Sequence, residues 1–220
     1  MRWLLVLVSV LMSLGAVPAV AAERALDLLD PAVSYTADFT VSSDKGTYSG
    51  LLWHQHGRER RSYMTKGGSQ TILIRRDLDS AWMMKPSGKW YVGLSLRALG
   101  VIAGGIDNLT VSRTPLGDED VNGHRTTRYR VVGQGPRGGR FDGDAWFTRE
   151  GIMIKAAGTL TGPDGRHIPV QTELSRLMIG RVDPKNFELP SGWMGMDLRS
   201  VPAESLAQAL ESLKPLLEGR

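Results

Sequence analysis

From Val33 to Val41 the chain alternates without a break, with Val33, Tyr35, Ala37, Phe39 and Val41 separated by Ser34, Thr36, Asp38 and Thr40. A period of two sends the apolar set to one face and the polar set to the other, which predicts a half-buried strand. Asp44-Lys-Gly46 then reads as a turn, and short strand candidates follow at 47–55, 60–65, 70–76, 81–85 and 89–96. Each is cut from the next by Gly, Pro or Asp punctuation, as in a meander of hairpins. After residue 124 the pattern resumes at 125–132, 144–148, 152–157 and 168–179, with turns over 133–140 and 161–165. Pro184 to Pro190 frames Phe187 and Leu189, a short alternating piece able to close a sheet edge.

Three segments carry helical spacing instead. Residues 23–30 form a short amphipathic stretch that stops at Pro31, and Ala203, Leu206, Leu210 and Leu213 mark one face of a helix near the C-terminus. Between the two strand-rich halves, Leu99, Ile102, Ile106 and Leu109 stand three or four residues apart. Gly100, Gly104 and Gly105 interrupt them, at a cost of roughly 2 to 3 kcal/mol to a free helix. The segment is therefore expected to be a marginal helix or an apolar flap that moves. The chain as a whole reads as mainly β, with ten or eleven antiparallel strands and flanking helices. A sheet of that size must curl, and something must cover its concave face.

Composition agrees with turn-rich β structure, since 26 Gly and 11 Pro occur in 220 residues. The N-terminus changes the compartment. Met1-Arg2, an apolar run from Trp3 to Leu14 and the small residues Ala19-Val20-Ala21 read as a secretory signal peptide over 1–22, followed by one domain over 23–220. With no Cys there is neither a residue to lipidate nor a disulfide, so the expectation is a soluble periplasmic protein held by its core. The formal net charge of +4 is ordinary. The arginine clusters at 58–61 and 125–130 are small and the second stands beside Asp118-Glu-Asp120, so no nucleic-acid partner is expected.

Catalytic patterns fail on context. Gly133-Gln-Gly135-Pro-Arg-Gly138 has dinucleotide-type glycine spacing, but Pro136 and a following strand remove the helix that would receive a pyrophosphate. Ser42-Ser-Asp-Lys45 ends a strand and lacks the companion motifs of penicillin-recognising enzymes. His54 and His56 share a strand face without acids nearby in sequence, so neither a metal site nor a cofactor is expected. A hydrolase would need acids and histidines that the sequence does not bring together. What remains is apolar: Tyr35, Phe39, Trp53, Trp82, Met84, Trp90, Trp146 and Met153 are the candidates to line a cavity. Aromatic rings reach across a curled sheet, and Met adapts to ligands of varied shape. Packing of a solid core explains the methionines equally well.

The order of these elements carries a resemblance. The leader, the short helix, Tyr35-Thr-Ala-Asp-Phe-Thr-Val41, the hairpins, Ala81-Trp-Met-Met-Lys-Pro-Ser-Gly-Lys-Trp-Tyr91 and Val182-Asp-Pro-Lys-Asn-Phe-Glu-Leu-Pro190 resemble the outer-membrane lipoprotein-sorting (LolA/LolB-like) superfamily over nearly all of the expected mature chain. The resemblance implies an incomplete, strongly curved β-barrel with a helical lid and an apolar interior for acyl chains. It implies a non-enzymatic periplasmic carrier or sensor of a lipid or acylated protein, with a partner protein at the inner or outer membrane. It gives Leu99, Ile102, Gly104, Gly105, Ile106 and Leu109 the role of lid. Carriers of this kind latch the lid with an arginine on an early strand, which Arg60 or Arg61 would supply, while Arg97 near the mouth would meet a head group. A periplasmic regulatory or assembly protein using the curved sheet as a protein-binding platform is the alternative.

Overall fold

The computed structural model describes residues 22–44, 46–102, 109–135, 138–162, 165–206 and 208, except for the side chains of 101 and 102. Its strands are β1 (Glu23–Arg24), β2 (Tyr35–Ser43), β3 (Gly46–Gln55), β4 (Arg58–Thr65), β5 (Gly68–Arg75), β6 (Ser80–Lys85) and β7 (Trp90–Ser95) in the first half. The second half supplies β8 (Thr110–Val121), β9 (His124–Gln134), β10 (Arg140–Thr148), β11 (Met153–Thr161), β12 (His167–Ile179) and β13 (Met194–Asp197). They join one curved sheet in the order β1-β8-β9-β10-β11-β12-β2-β3-β4-β5-β6-β7-β13, antiparallel except where β13 runs parallel to β7. The sheet does not close on itself, so it is a half-barrel.

This order places the helices. Helix α1 (Ala25–Leu28) leads from the β1 edge to the central strand β2, and Ala25 N–H donates to the Leu109 carbonyl at 2.9 Å. Helix α2 (Leu96–Ile102) begins the connection from β7 to β8, which stand near opposite ends of the sheet. Residues 203–206 are helical, and Ala203 and Leu206 pack on Leu94 and Ala98.

Alternation along the strands divides the core between two faces. On one, Tyr35, Ala37, Phe39 and Leu52 pack with Leu174 and Leu177. On the other, Leu73, Trp82 and Met84 pack against Val182, Phe187, Leu189 and Trp193, so the 182–193 segment covers that face. Phe187 is therefore not an edge strand as the alternation suggested. It ends a 3-10 turn, Pro184–Phe187, and is buried, while β13 takes the edge beside β7. Arg60 and Arg75 hold this turn in place, donating from Nη1 to the carbonyls of Asn186 and Phe187, each at 3.3 Å.

Strand β8 is a second departure from the pattern. Pro115, Gly117 and Asp118-Glu-Asp120 argue against a strand, yet 110–121 pairs with β9 throughout, with a register shift between Pro115 and Gly117. Beyond Thr110 and Val111, which β1 pairs, the outer side of β8 has no strand partner among the described residues. An edge tolerates a missing donor, and a bulge absorbs the proline.

An open groove on the sheet and the ionic knot beside it

Cross-strand register builds the candidate site from β2 outward. Phe39 pairs with Gly50 and Gly50 with Tyr63, so two aromatic residues flank a glycine. A Cβ on Gly50 would stand 2.0 Å from the Ser62 carbonyl oxygen, a contact no side chain can make. Over the glycine, the Phe39 and Tyr63 rings meet edge to face at 6.3 Å, and Tyr48 meets Tyr63 at 6.2 Å. Val41, Arg61, Thr65, Gln70 and Ile72 complete the walls of an open groove of about 350 Å³. That volume has room for about a dozen water-sized groups, and its lining is mainly apolar. Under α1 the same face is nearly filled. Leu28, Leu29, Tyr35, Leu52, Met153 and Leu174 leave a void of about 20 Å³, enough for about one water.

Arg61 ties the groove to a buried set of charges. Its guanidinium lies 5.5 Å from the Phe39 ring centre, and its Nε donates to Glu59 at 2.7 Å. Glu59 is 3% exposed. Burial pushes its pKa up, but the charge of Arg61, the neighbouring His54 and the charge of Arg76 outweigh that and hold it at about 2. Arg61 is held above its usual range, because the Glu59 carboxylate more than offsets the burial of its own charge. Burial first, and Glu59 second, push the Tyr35 phenol upward.

His54 is fully buried, stacked on Tyr35 at 4.8 Å, with Nε2 3.0 Å from the Pro31 carbonyl and Nδ1 3.7 Å from Glu59. Asp30 stands 3.6 Å from both His54 and His56 and 3.8 Å from Arg76, and accepts from Gly57 N–H at 2.9 Å. Acids and histidines that are distant in sequence do converge, contrary to the sequence reading. They converge as a knot that fastens the 29–31 segment to β3 and β4. With His54 enclosed, no substrate can reach its ring, and among the described residues no group of three or more His, Asp or Glu is arranged to hold a metal.

The expected site residues are dispersed. Phe39 lines the groove and Tyr35 and Met153 border the small void. Trp53, Trp82 and Met84 lie on the opposite face in the Phe187 cluster. Trp146 packs with Ile152 and Ile154, its indole N–H donating to Glu119 and its ring flanked by Arg128 and Lys155 at 5.2 and 4.9 Å. Trp90 is exposed at the sheet rim. Of the lid residues, Leu99 is half-buried on α2, and Leu109 is buried with Val111, Val131 and Phe147 at the β8 end. The side chain of Ile102, and Gly104, Gly105 and Ile106, lie outside the described residues.

Of the three arginines, Arg61 enters the groove. Arg60 points to the other face, over Trp53 at 5.7 Å, and Arg97 pairs with Glu204 at 2.7 Å. Sequence reasoning missed Tyr48, Tyr63, Gln70 and Ile72. The phase of the β2 alternation, carried through the hairpin registers, would have found them.

Comparison of the sequence with known protein families and with curated proteins finds no match. Solved structures do match. An uncharacterized conserved protein from Thermus thermophilus superposes with a TM-score of 0.52 at 8% identity, over 78% of this chain and 96% of its own. MucB superposes with a TM-score of 0.50 at 14% identity over 78% of this chain, which spans 63% of MucB, less than two thirds of its length. A LolA superfamily protein, NE2245 from Nitrosomonas europaea, is also matched, with a TM-score of 0.40, at 12% identity over 76% and 98% of the two chains. At these identities a likeness shows the fold alone. No helix among the described residues is long and apolar enough to cross a membrane. The open, curved half-barrel sheet is thus a fold shared with the Thermus thermophilus protein and with MucB.

Proposed function

We propose that this protein is a non-enzymatic periplasmic carrier or sensor that holds an acyl chain of a lipid or lipoprotein in the groove between Phe39 and Ile72. In this reading residues 1–22 are a cleaved leader and 23–220 form one lipid-binding domain. The observation that carries it is the groove itself, an open, mainly apolar trough of about 350 Å³ on the face opposite the Leu73, Trp82 and Met84 cluster that the 182–193 segment covers. A dozen methylenes laid there would gain at most about 10 kcal/mol at about 0.8 kcal/mol each. Ordering the chain and leaving one side wet reduce that figure, which suits a carrier that must release its cargo. Arg61 would meet a carboxylate or phosphate with the guanidinium atoms that Glu59 leaves free.

Gentle purification followed by lipid mass spectrometry tests the reading, together with displacement of a fluorescent fatty acid. Ile72→Trp, which fills the trough, should lower fatty-acid affinity at least tenfold. Unchanged affinity in a folded I72W protein would refute it. A second reading, a protein-binding platform, is favoured by the outer side of β8 from Ser112 to Val121, which pairs with no strand among the described residues, so that a peptide strand can add there. MucB, whose fold is similar, has been solved in complex with MucA. A stoichiometric copurifying protein and no lipid would support it.

A further inference from the structure

The two ends of the strands β4 to β7 differ in charge. At one end Arg58 and Arg75 pair with Asp77 at 3.4 and 2.7 Å, and Arg76 approaches Asp30. At the other, the β4–β5 turn carries Met64 and Lys66 and the β6–β7 turn carries Lys85, Lys89 and Trp90. The turns touch, since a Cβ on Gly68 would stand 4.0 Å from Ser87 Oγ. Strand β13 joins them there, with Met194 N–H donating to the Lys89 carbonyl at 2.9 Å and Met194 paired with Trp90. Met64 is 66% exposed, Met194 73% and Trp90 39%. No acidic residue occurs between Glu59 and Asp77, between Asp79 and Asp107, or between Glu188 and Asp197. The acid nearest this end in the adjoining hairpin, Asp44, is paired with Arg166 at 2.9 Å.

We propose that this end of the sheet docks on an anionic lipid bilayer. Trp90, Met64 and Met194 would enter the headgroup region, where an indole with one apolar and one polar side is at home. Lys66, Lys85 and Lys89 would contact anionic headgroups, each strengthening binding about fivefold near a charged surface. Thr65 and Gln70, which line the groove, flank the β4–β5 turn, so a docked molecule presents the groove end to the membrane. The docking itself does not depend on what the groove holds.

The test is co-sedimentation of the purified protein with vesicles of phosphatidylglycerol and of phosphatidylcholine, with tryptophan emission as a second readout. Binding is expected to phosphatidylglycerol, to weaken with added salt, and to be far weaker to phosphatidylcholine. K66Q/K85Q/K89Q should weaken it about a hundredfold. W90F should abolish the vesicle-induced blue shift, and R58Q at the opposite end should leave binding unchanged. Should the triple variant fail to fold, K66Q and K89Q singly, each expected to lose about fivefold, serve in its place. Equal binding to both lipids, undiminished binding by the lysine variants, or competition by soluble polyglutamate as effective as by vesicles would overturn the proposal. The last outcome would assign the rim to an acidic protein instead.

Discussion

Glu59→Gln isolates the ionic knot beside the groove. The carboxyl is buried, and its folded pKa of about 2 lies below its ordinary 4.5. A difference of about two and a half pH units corresponds to about 3 kcal/mol favouring the folded state, at about 1.4 kcal/mol per unit. Because the folded value is the lower one, this contribution is fully present above pH 4.5, shrinks as the pH falls, and is gone below about 2. Glutamine keeps the shape but removes the charge, leaving Arg61 without its carboxylate in a half-buried position and Arg76 with Asp30 alone. Urea unfolding at pH 7 should therefore show E59Q less stable by about 3 kcal/mol, in line with other broken buried pairs. The gap should narrow by about 1.4 kcal/mol for each pH unit below 4.5. A gap under about 1 kcal/mol at pH 7, or one that does not change between pH 6 and pH 3, would refute the reasoning.

Two further substitutions examine the scaffold around the site. Phe187→Ala empties a fully buried position on the covered face, and a loss of about 3 to 5 kcal/mol in chemical denaturation is expected. If the loss is under 1 kcal/mol, the 182–193 segment does not hold that face. Gly50→Ala forces a Cβ onto the Ser62 carbonyl and should lower stability by about 2 kcal/mol or more, measurable as a drop in Tm. A protein that tolerates alanine there would show that β3 and β4 do not approach so closely at the groove floor.

Much of the sheet was legible because alternation is a local property. Strand β2 announces itself in Val33 to Val41, and the hairpin turns follow from Gly, Pro and Asp, with Asp79 and Lys89 taking the left-handed conformation that ends each 3-10 turn. Strand β8 was not legible, because an edge accepts the proline and acids that a central strand would refuse. The groove was only half legible. Phe39 shows its face in its own strand, whereas Tyr48, Tyr63 and Ile72 reach the groove through pairings across three hairpins.

The sequence by itself determined the periodicity, and with it the mainly β class, the two-faced distribution of large side chains and the resemblance to a lipoprotein-sorting fold. Only the tertiary structure decided which apolar residues fill space and which border it. Trp53, Trp82 and Met84 became core because the 182–193 segment folds over them, and nothing in their own strands specifies that cover. Arg60 and Arg61 are neighbours with the same side chain, yet one anchors a turn on the covered face and the other enters the groove. In a strand a shift of one residue reverses the face, and register, set by every strand across the curved sheet, made that choice.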